Sequence, residues 1–413
     1  MKYALGNMLN GAGGLNADKL ALDLQFAADK TLTARKGPTP ILTRAQTTST
    51  GSTYVGSDGL IKYAAQNEPR FDHNPVSPFA CRGLLIEEGR TNFLRGSSRI
   101  DTSPWGQSGS STVATGETAP DGSFDGALIT TTAINNGRSI GGLSLTAATA
   151  YSVSCYFKAG TANAVRFSFF DGSGALVVAL NLSTLVVSTV SGALPYTSSV
   201  TIMPNGWYRF AISITAPVTT AGAVVAIQSG APGSFIAWGA QLEAGSFPTS
   251  YIPTTTSALA RSADVCSIAN TSSFWNGSEF TLFTNANWAA AGFDSYALNF
   301  SITAGFFGAR RPNTNLAAGI IRSSGVNADM IFGTNGSFTT GSMRMALAHS
   351  TGQQAGSLNG ATAIQQNSAF VPSSNPPLNI GYSGAGAYIN GHIAAISYYK
   401  KRLANAKLQA LTA

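Results

Sequence analysis

Charge is what this chain has least of. Asp, Glu, Lys and Arg make up 10% of its 413 residues, against about 25% in an average globular domain. Gly (45 residues), Ser, Thr, Ala and Asn take their place. That surface is polar but uncharged, as in many-stranded proteins packed into large assemblies. The hydrophobic share of 44% is ordinary, which excludes a disordered composition. The chain is long enough for a large core and two or three domains.

Other shortages narrow the class. Three cysteines, Cys81, Cys155 and Cys266, lie far apart without a CxxC or a zinc-type His spacing; the odd count argues against an obligatory disulfide framework and fits assembly in a reducing cytosol. No run approaches the 18 or so apolar residues of a membrane span. The N-terminal MKYALGNMLN has one Lys and no sustained apolar stretch, so it is not read as a secretory signal. A soluble protein that neither enters a membrane nor leaves by a visible signal is expected. GxSxG, HExxH and Walker patterns are missing, and His73, His349 and His392 are isolated. The one tight acidic pair, Glu87–Glu88, would point to opposite faces of a strand, which does not suit glycosidase chemistry. Enzymatic activity is therefore not expected.

The net charge of +7 mostly records the shortage of acids. Its densest cluster, Lys400, Lys401, Arg402 and Lys407, reads as a solvated helix end. A nucleic-acid partner would need a continuous basic face with interleaved aromatics, so none is expected.

What is present is extended structure. Leu22, Leu24 and Phe26 alternate with Asp23 and Gln25, and Ser57-Asp58-Gly59 is a hairpin-type turn. Residues 1–95, otherwise broken by Pro and Gly, read as an N-terminal attachment and oligomerisation region. Residues 96–255 read as one β-sandwich with strands at 151–158, 165–170, 175–182, 207–215, 223–228 and 234–243, and a hairpin turn at Asp171–Gly174. Residues 256–413 read as a second sandwich closed by a short helix over LANAKLQALTA, with Asn405 as its cap. In FIAWGAQLE, period-two alternation puts Ile236, Trp238, Ala240 and Leu242 on one face and Phe235, Gln241 and Glu243 on the other. Pro248 and Pro253 then enforce an extended exit.

Candidate sites are few. In NGWYRFAISI, Tyr208, Phe210, Ile212 and Ile214 take one face, leaving Trp207 and Arg209 outward, as Tyr156 and Lys158 are on their own strand. An exposed aromatic beside polar donors can stack on a sugar, so these four are the ligand-binding candidates. The competing reading has Trp207 capping a sheet edge or meeting a neighbouring subunit. Trp275, Trp288, Tyr296, Arg310, Arg311 and Tyr388 are similar material without decisive geometry. No cofactor is expected, the one candidate being a structural Ca2+ held by Asp121, Asp125 and Glu243. His349, on the face of Met343, Met345 and Leu347, reads as a core histidine.

Three segments carry a resemblance. DGLIKYAAQNEPRFDHNPV with GLLIEEGRTNFL resembles the N-terminal segment of bacteriophage and prophage fibre or head-spike proteins. GWYRFAISI with WGAQLEAGSFPTSYIPTT resembles the carbohydrate-binding-module-like jelly roll that follows in them. INGHIAAISYYKKRLANAKLQALTA is similar to the closing strand and helix of concanavalin A/laminin-G-like domains. The resemblance implies a mostly-β, non-enzymatic virion structural protein. It would be a homotrimeric tail or head fibre, spike or capsid decoration subunit, joined to other virion proteins through its N-terminal region. It would be assembled in the host bacterial cytoplasm and in contact with cell-surface glycan. A purely architectural decoration protein and a glycan depolymerase remain the alternatives.

Overall fold

The computed structural model describes residues 19–45, 51–288, 295–302, 305–311, 317–323, 326–332, 341–368, 375–384 and 386–413. They form a mostly-β protein of two antiparallel sandwiches with a short C-terminal helix, Asn405–Thr412.

The middle sandwich packs two six-stranded sheets. One sheet runs in the order Tyr196–Ile202, Trp207–Thr215, Ala150–Ala159, Gly233–Ala244, Gly126–Thr131, Ser111–Glu117. The other runs Val187–Ser191, Ala175–Asn181, Ala164–Phe170, Thr220–Ser229, Gly137–Leu145, Gly106–Ser108. Alternate side chains of both sheets, Val153, Phe157, Phe167, Phe210 and Leu242 among them, form one apolar core, as the pleat requires. The Phe rings at its centre pack tightly, with Phe167 and Phe210 stacked at 4.9 Å.

The terminal sandwich draws on both ends of the chain. Its larger sheet orders Ile364–Ser368, Gly352–Leu358, Gly341–Ser350, Glu279–Trp288, Gly391–Tyr399, Cys81–Ile86 and Phe71–His73. Leu20–Leu24 also pairs with Gly391–Tyr399. In the facing sheet, Ile41–Thr43 pairs with Val265–Ile268. Leu22, Leu24, Phe26, Leu42, Leu84 and Ile86 thus belong to the same core as Phe280, Leu298, Ile380 and Ile396. This corrects the reading of 1–95 as a separate region: its apolar residues, too few for a core of their own, complete that of the terminal sandwich. The middle sandwich is an insertion in it. Entry strand Arg90–Asn92 and exit strand Leu259–Arg261 pair with each other and form the neck.

Two local expectations need correction. Gly239, at φ +67°, forms a bulge: Ser154 opposes Gln241 while Tyr156 opposes Trp238. The extra residue reverses the alternation. Phe235, Ala237, Ala240 and Leu242 face the middle core, whereas Ile236 and Trp238 join a separate cluster on the sheet's other face. The C-terminal helix also lacks the expected cap. Ala404 holds that position without a side-chain bond, and Asn405 Oδ1 accepts a hydrogen bond from Arg402 instead. Leu408 seats the helix on Phe283, Ala346 and Ala395.

Candidate functional site

The outer face of the sheet containing Trp207–Thr215 is roofed rather than open. The hairpin of Thr53–Val55 and Ile61–Tyr63, turning at Ser57-Asp58-Gly59, lies against it together with Ala119 and Tyr251. Ile61 N–H donates to Pro120 O at 2.9 Å, and Thr53 Oγ1 donates to Tyr251 O at 2.6 Å. Beneath this cover Trp207 is 2% exposed and Tyr156 4%. Trp207 Nε1 donates to Thr118 O at 3.2 Å, and Tyr156 packs edge-on against Trp238 at 5.5 Å. Both rings leave their sheet on the outward side, as alternation requires. Neither is the exposed platform expected from the sequence, because chain segments distant in sequence return to cover them.

The exit from the strand is held by its own polar residues. Gln241 donates towards the carbonyls of Thr249 and Ser250 and accepts from Ile252 N–H at 2.6 Å. Glu243, fully buried, accepts from both the N–H and the hydroxyl of Thr249. Asn92 satisfies its amide completely: it donates to Ala240 O and Ile252 O and accepts from Leu94 and Leu242 N–H. Below the exit lies a buried ionic cluster. Asp264 bridges Arg44 (2.8 Å) and Arg70, and Glu87 bridges Arg70 (2.7 Å) and Arg261 (2.9 Å). Ser250 donates to Glu87 through both N–H and Oγ. Burial alone would raise Glu87, but Arg261, Arg70 and Ser250 outweigh it and hold the carboxyl far below the ordinary range. This is a structural joint that locks the linker to both flanks of the neck.

Beside the joint, between the two sandwiches, opens a cleft of about 830 Å³, within the roughly 300–1,000 Å³ range of ligand sites. One wall is a ladder of cross-strand pairs from the middle sandwich: Thr197 opposite Ser213, Ser199 opposite Ala211, and Thr201 opposite Arg209. The guanidinium of Arg209 lies 5.3 Å from the centre of the Tyr156 ring, a favourable cation–π placement. The other wall is the terminal sandwich, contributing Asn287, Trp288, Asn390, His392 and Asp72. His392 Nε2 lies 2.7 Å from Asp72 Oδ2. Burial lowers the imidazole pKa, outweighing the opposing pull of Asp72. Phe247 and Tyr251 from the linker close the floor. Hydroxyls and amides beside aromatic rings, with few charges, can bind a polyhydroxylated ligand.

The four candidate residues therefore divide. Tyr156 and Arg209 line the cleft, while Trp207 and Lys158 border a separate recess of about 270 Å³. Of the second set, Trp288 reaches the cleft; the Arg311 side chain lies outside the described residues. Reasoning from sequence missed Thr197, Ser199 and Thr201, because YTSSVTI has too few apolar positions to announce a strand. It also missed His392 and Asp72, which come together from opposite ends of the chain.

The calcium candidates do not assemble. Glu243 is committed to Thr249, and Asp121 accepts the Tyr63 hydroxyl at 2.7 Å. Among the described residues no three His, Cys, Asp or Glu side chains converge as metal ligands. Glu87 and Glu88 pair with different arginines, Glu88 with Arg90. His349 is 1% exposed and lies 5.2 Å from the Phe280 ring, and burial lowers its pKa to about 4. The Cys155 and Cys266 thiols are fully buried, and burial raises both pKa values strongly.

No protein-family model matches the chain, and no curated protein matches it. Similar solved structures include the CBM40 of Ruminococcus gnavus IT-sialidase, 13% identical over 36% of this chain and 96% of that one, with a TM-score of 0.30. Mouse laminin alpha1 domains LG4-5 are 8% identical over 67% and 90%, with a TM-score of 0.27. The CBM22-1–CBM22-2 tandem of Paenibacillus barcinonensis Xyn10C is 12% identical over 76% and 99%, with a TM-score of 0.28. Likeness at this level carries no functional argument. The two-sandwich fold rests on the strand pairing above.

Proposed function

We propose that this chain is a non-enzymatic structural protein displayed on a phage particle, and that it binds cell-surface glycan in the cleft between its sandwiches. One observation carries the binding reading: a cleft of about 830 Å³ with a hydroxyl-bearing ladder on one wall and aromatic rings within reach. The virion role is supported by the sequence resemblance and by a polar, charge-poor composition suited to packing among many copies. Homotrimeric assembly and contact with other virion proteins belong to the same reading.

A steric block tests the cleft. Ser199 is exposed on a strand near the sheet edge, so Ser199→Trp should fill the opening while leaving the core intact. The full chain is expected to bind a subset of bacterial surface polysaccharides on an array, and the variant to lose that binding at an unchanged melting temperature. Equal binding by both proteins would move the ligand elsewhere. No binding by either would leave an architectural decoration subunit, and new reducing ends in the polysaccharide would indicate a depolymerase. Density for the chain on purified particles tests the display reading separately.

A further inference from the structure

We infer that the cleft accepts an acidic sugar, with the sugar carboxylate on Arg209; this rests on the glycan-binding reading above. The charged groups of the walls are Asp72, Arg82, Glu87 and Arg209, beside the His392 imidazole. Most are already answered from within the protein. Asp72 accepts from Val55 N–H at 2.6 Å, meets His392 at 2.7 Å and has Arg82 at 3.7 Å. Glu87 is held by Arg70, Arg261 and Ser250. Arg209 differs. Its one hydrogen bond, from Nη2, goes to the neutral Ser154 Oγ at 3.0 Å, and its buried Nε has no hydrogen-bond partner among the described residues.

A guanidinium stacked on an aromatic ring and left without a carboxylate is a preorganised fork for a planar anion. Around it, Thr201, Ser199 and Ser213 offer hydroxyls to the neutral positions of a sugar. Trp288 Nε1, on the opposite wall, is buried with no hydrogen-bond partner among the described residues. The site therefore has one unanswered cation, several neutral donors and two acids that disfavour a multiply charged ligand such as phosphate. A single carboxylate per sugar unit matches that inventory.

The test uses the full chain and paired polymers: polygalacturonate, alginate and polysialic acid, each with its carboxyl-reduced counterpart, compared by titration calorimetry at fixed ionic strength. At least one acidic polymer should bind about tenfold more tightly than its reduced form, the size expected for a charge-assisted hydrogen bond. Arg209→Gln should bring that ratio close to one, and Arg209→Lys should give an intermediate ratio, both at wild-type melting temperature. Equal binding of acidic and reduced forms by the wild type overturns the inference while leaving the cleft as a glycan site. So does a preference that survives in Arg209→Gln, or equally tight binding of dextran sulfate, which would show general attraction of anions. Failure of every polymer, acidic and reduced alike, overturns this inference, while the polysaccharide array decides the glycan reading separately.

Discussion

Arg70 and Asp264, 194 residues apart in sequence, form an ion pair from which solvent is wholly excluded. The pair joins the segment before the inserted sandwich to the segment after it. Asp264 serves Arg44 as well, so its removal leaves the buried Arg44 guanidinium with only carbonyl partners and Arg70 with Glu87 as its remaining carboxylate. Asp264→Ala should cost about 3–5 kcal/mol, the penalty for an uncompensated buried charge. Urea denaturation followed by circular dichroism checks this; a loss below about 1 kcal/mol would mean that the pair is solvated in solution.

Acid should weaken the same joint. The folded-state pKa of Glu87 lies far below the usual carboxylate value of about 4.3. The stability it contributes is fully present above that value and is lost as pH falls below it. Glu87→Gln should be less stable at pH 7 yet show a flatter decline between about pH 4.5 and 2. Melting temperatures across that range decide the matter.

His349 acts in a higher window. Its folded-state pKa is about 4, against about 6.5 in an unfolded chain. Between these values the unfolded chain takes up a proton that the folded protein refuses, so stability falls as pH drops from 6.5 towards 4. His349→Gln should lessen that slope in a pH series of unfolding curves. An unchanged slope would assign the effect to other groups.

The bulge at Gly239 admits no side chain. A Cβ there would sit 2.8 Å from Tyr156 Cδ2 on a backbone with φ of +67°. Gly239→Ala should therefore destabilise by about 1–3 kcal/mol, combining left-handed strain with displacement of the ring. A calorimetric melting temperature equal to wild type would contradict it.

Trp207 and Arg209, two residues apart, should separate stability from binding. Trp207→Ala removes a buried ring and should cost about 3–5 kcal/mol. Arg209→Gln leaves the core untouched and should shift the melting temperature little. The reverse order in a thermal series would put Trp207 at the surface.

Much of the architecture was legible in the sequence because burial imposes periodicity. Strands such as Ala164–Phe170 and Ala175–Asn181, with a core on one face, announced themselves, and so did the Asp171–Gly174 hairpin between them, whose Asp171 carboxylate caps the turn. Exposed strands such as Tyr196–Ile202 left no such mark. The direction in which Trp207 and Tyr156 point was readable from alternation, but their cover was not, since Ile61, Ala119 and Tyr251 reach them from distant parts of the chain. The same limit hid the cleft, whose walls belong to different sandwiches. Gly239 carried a usable signal: a glycine inside a strand pattern is the usual mark of a bulge.

The paired neck has a consequence for the order of synthesis. The strand Gly391–Tyr399 lies between Glu279–Trp288 on one side and, on the other, Leu20–Leu24 and Cys81–Ile86, yet it leaves the ribosome several hundred residues after the last two. At about 5–20 residues per second, those early strands wait tens of seconds for their partner. The inserted sandwich contains its whole core within one continuous stretch and can fold in that interval. When the last strand arrives, it meets two edges already brought side by side by the finished insert.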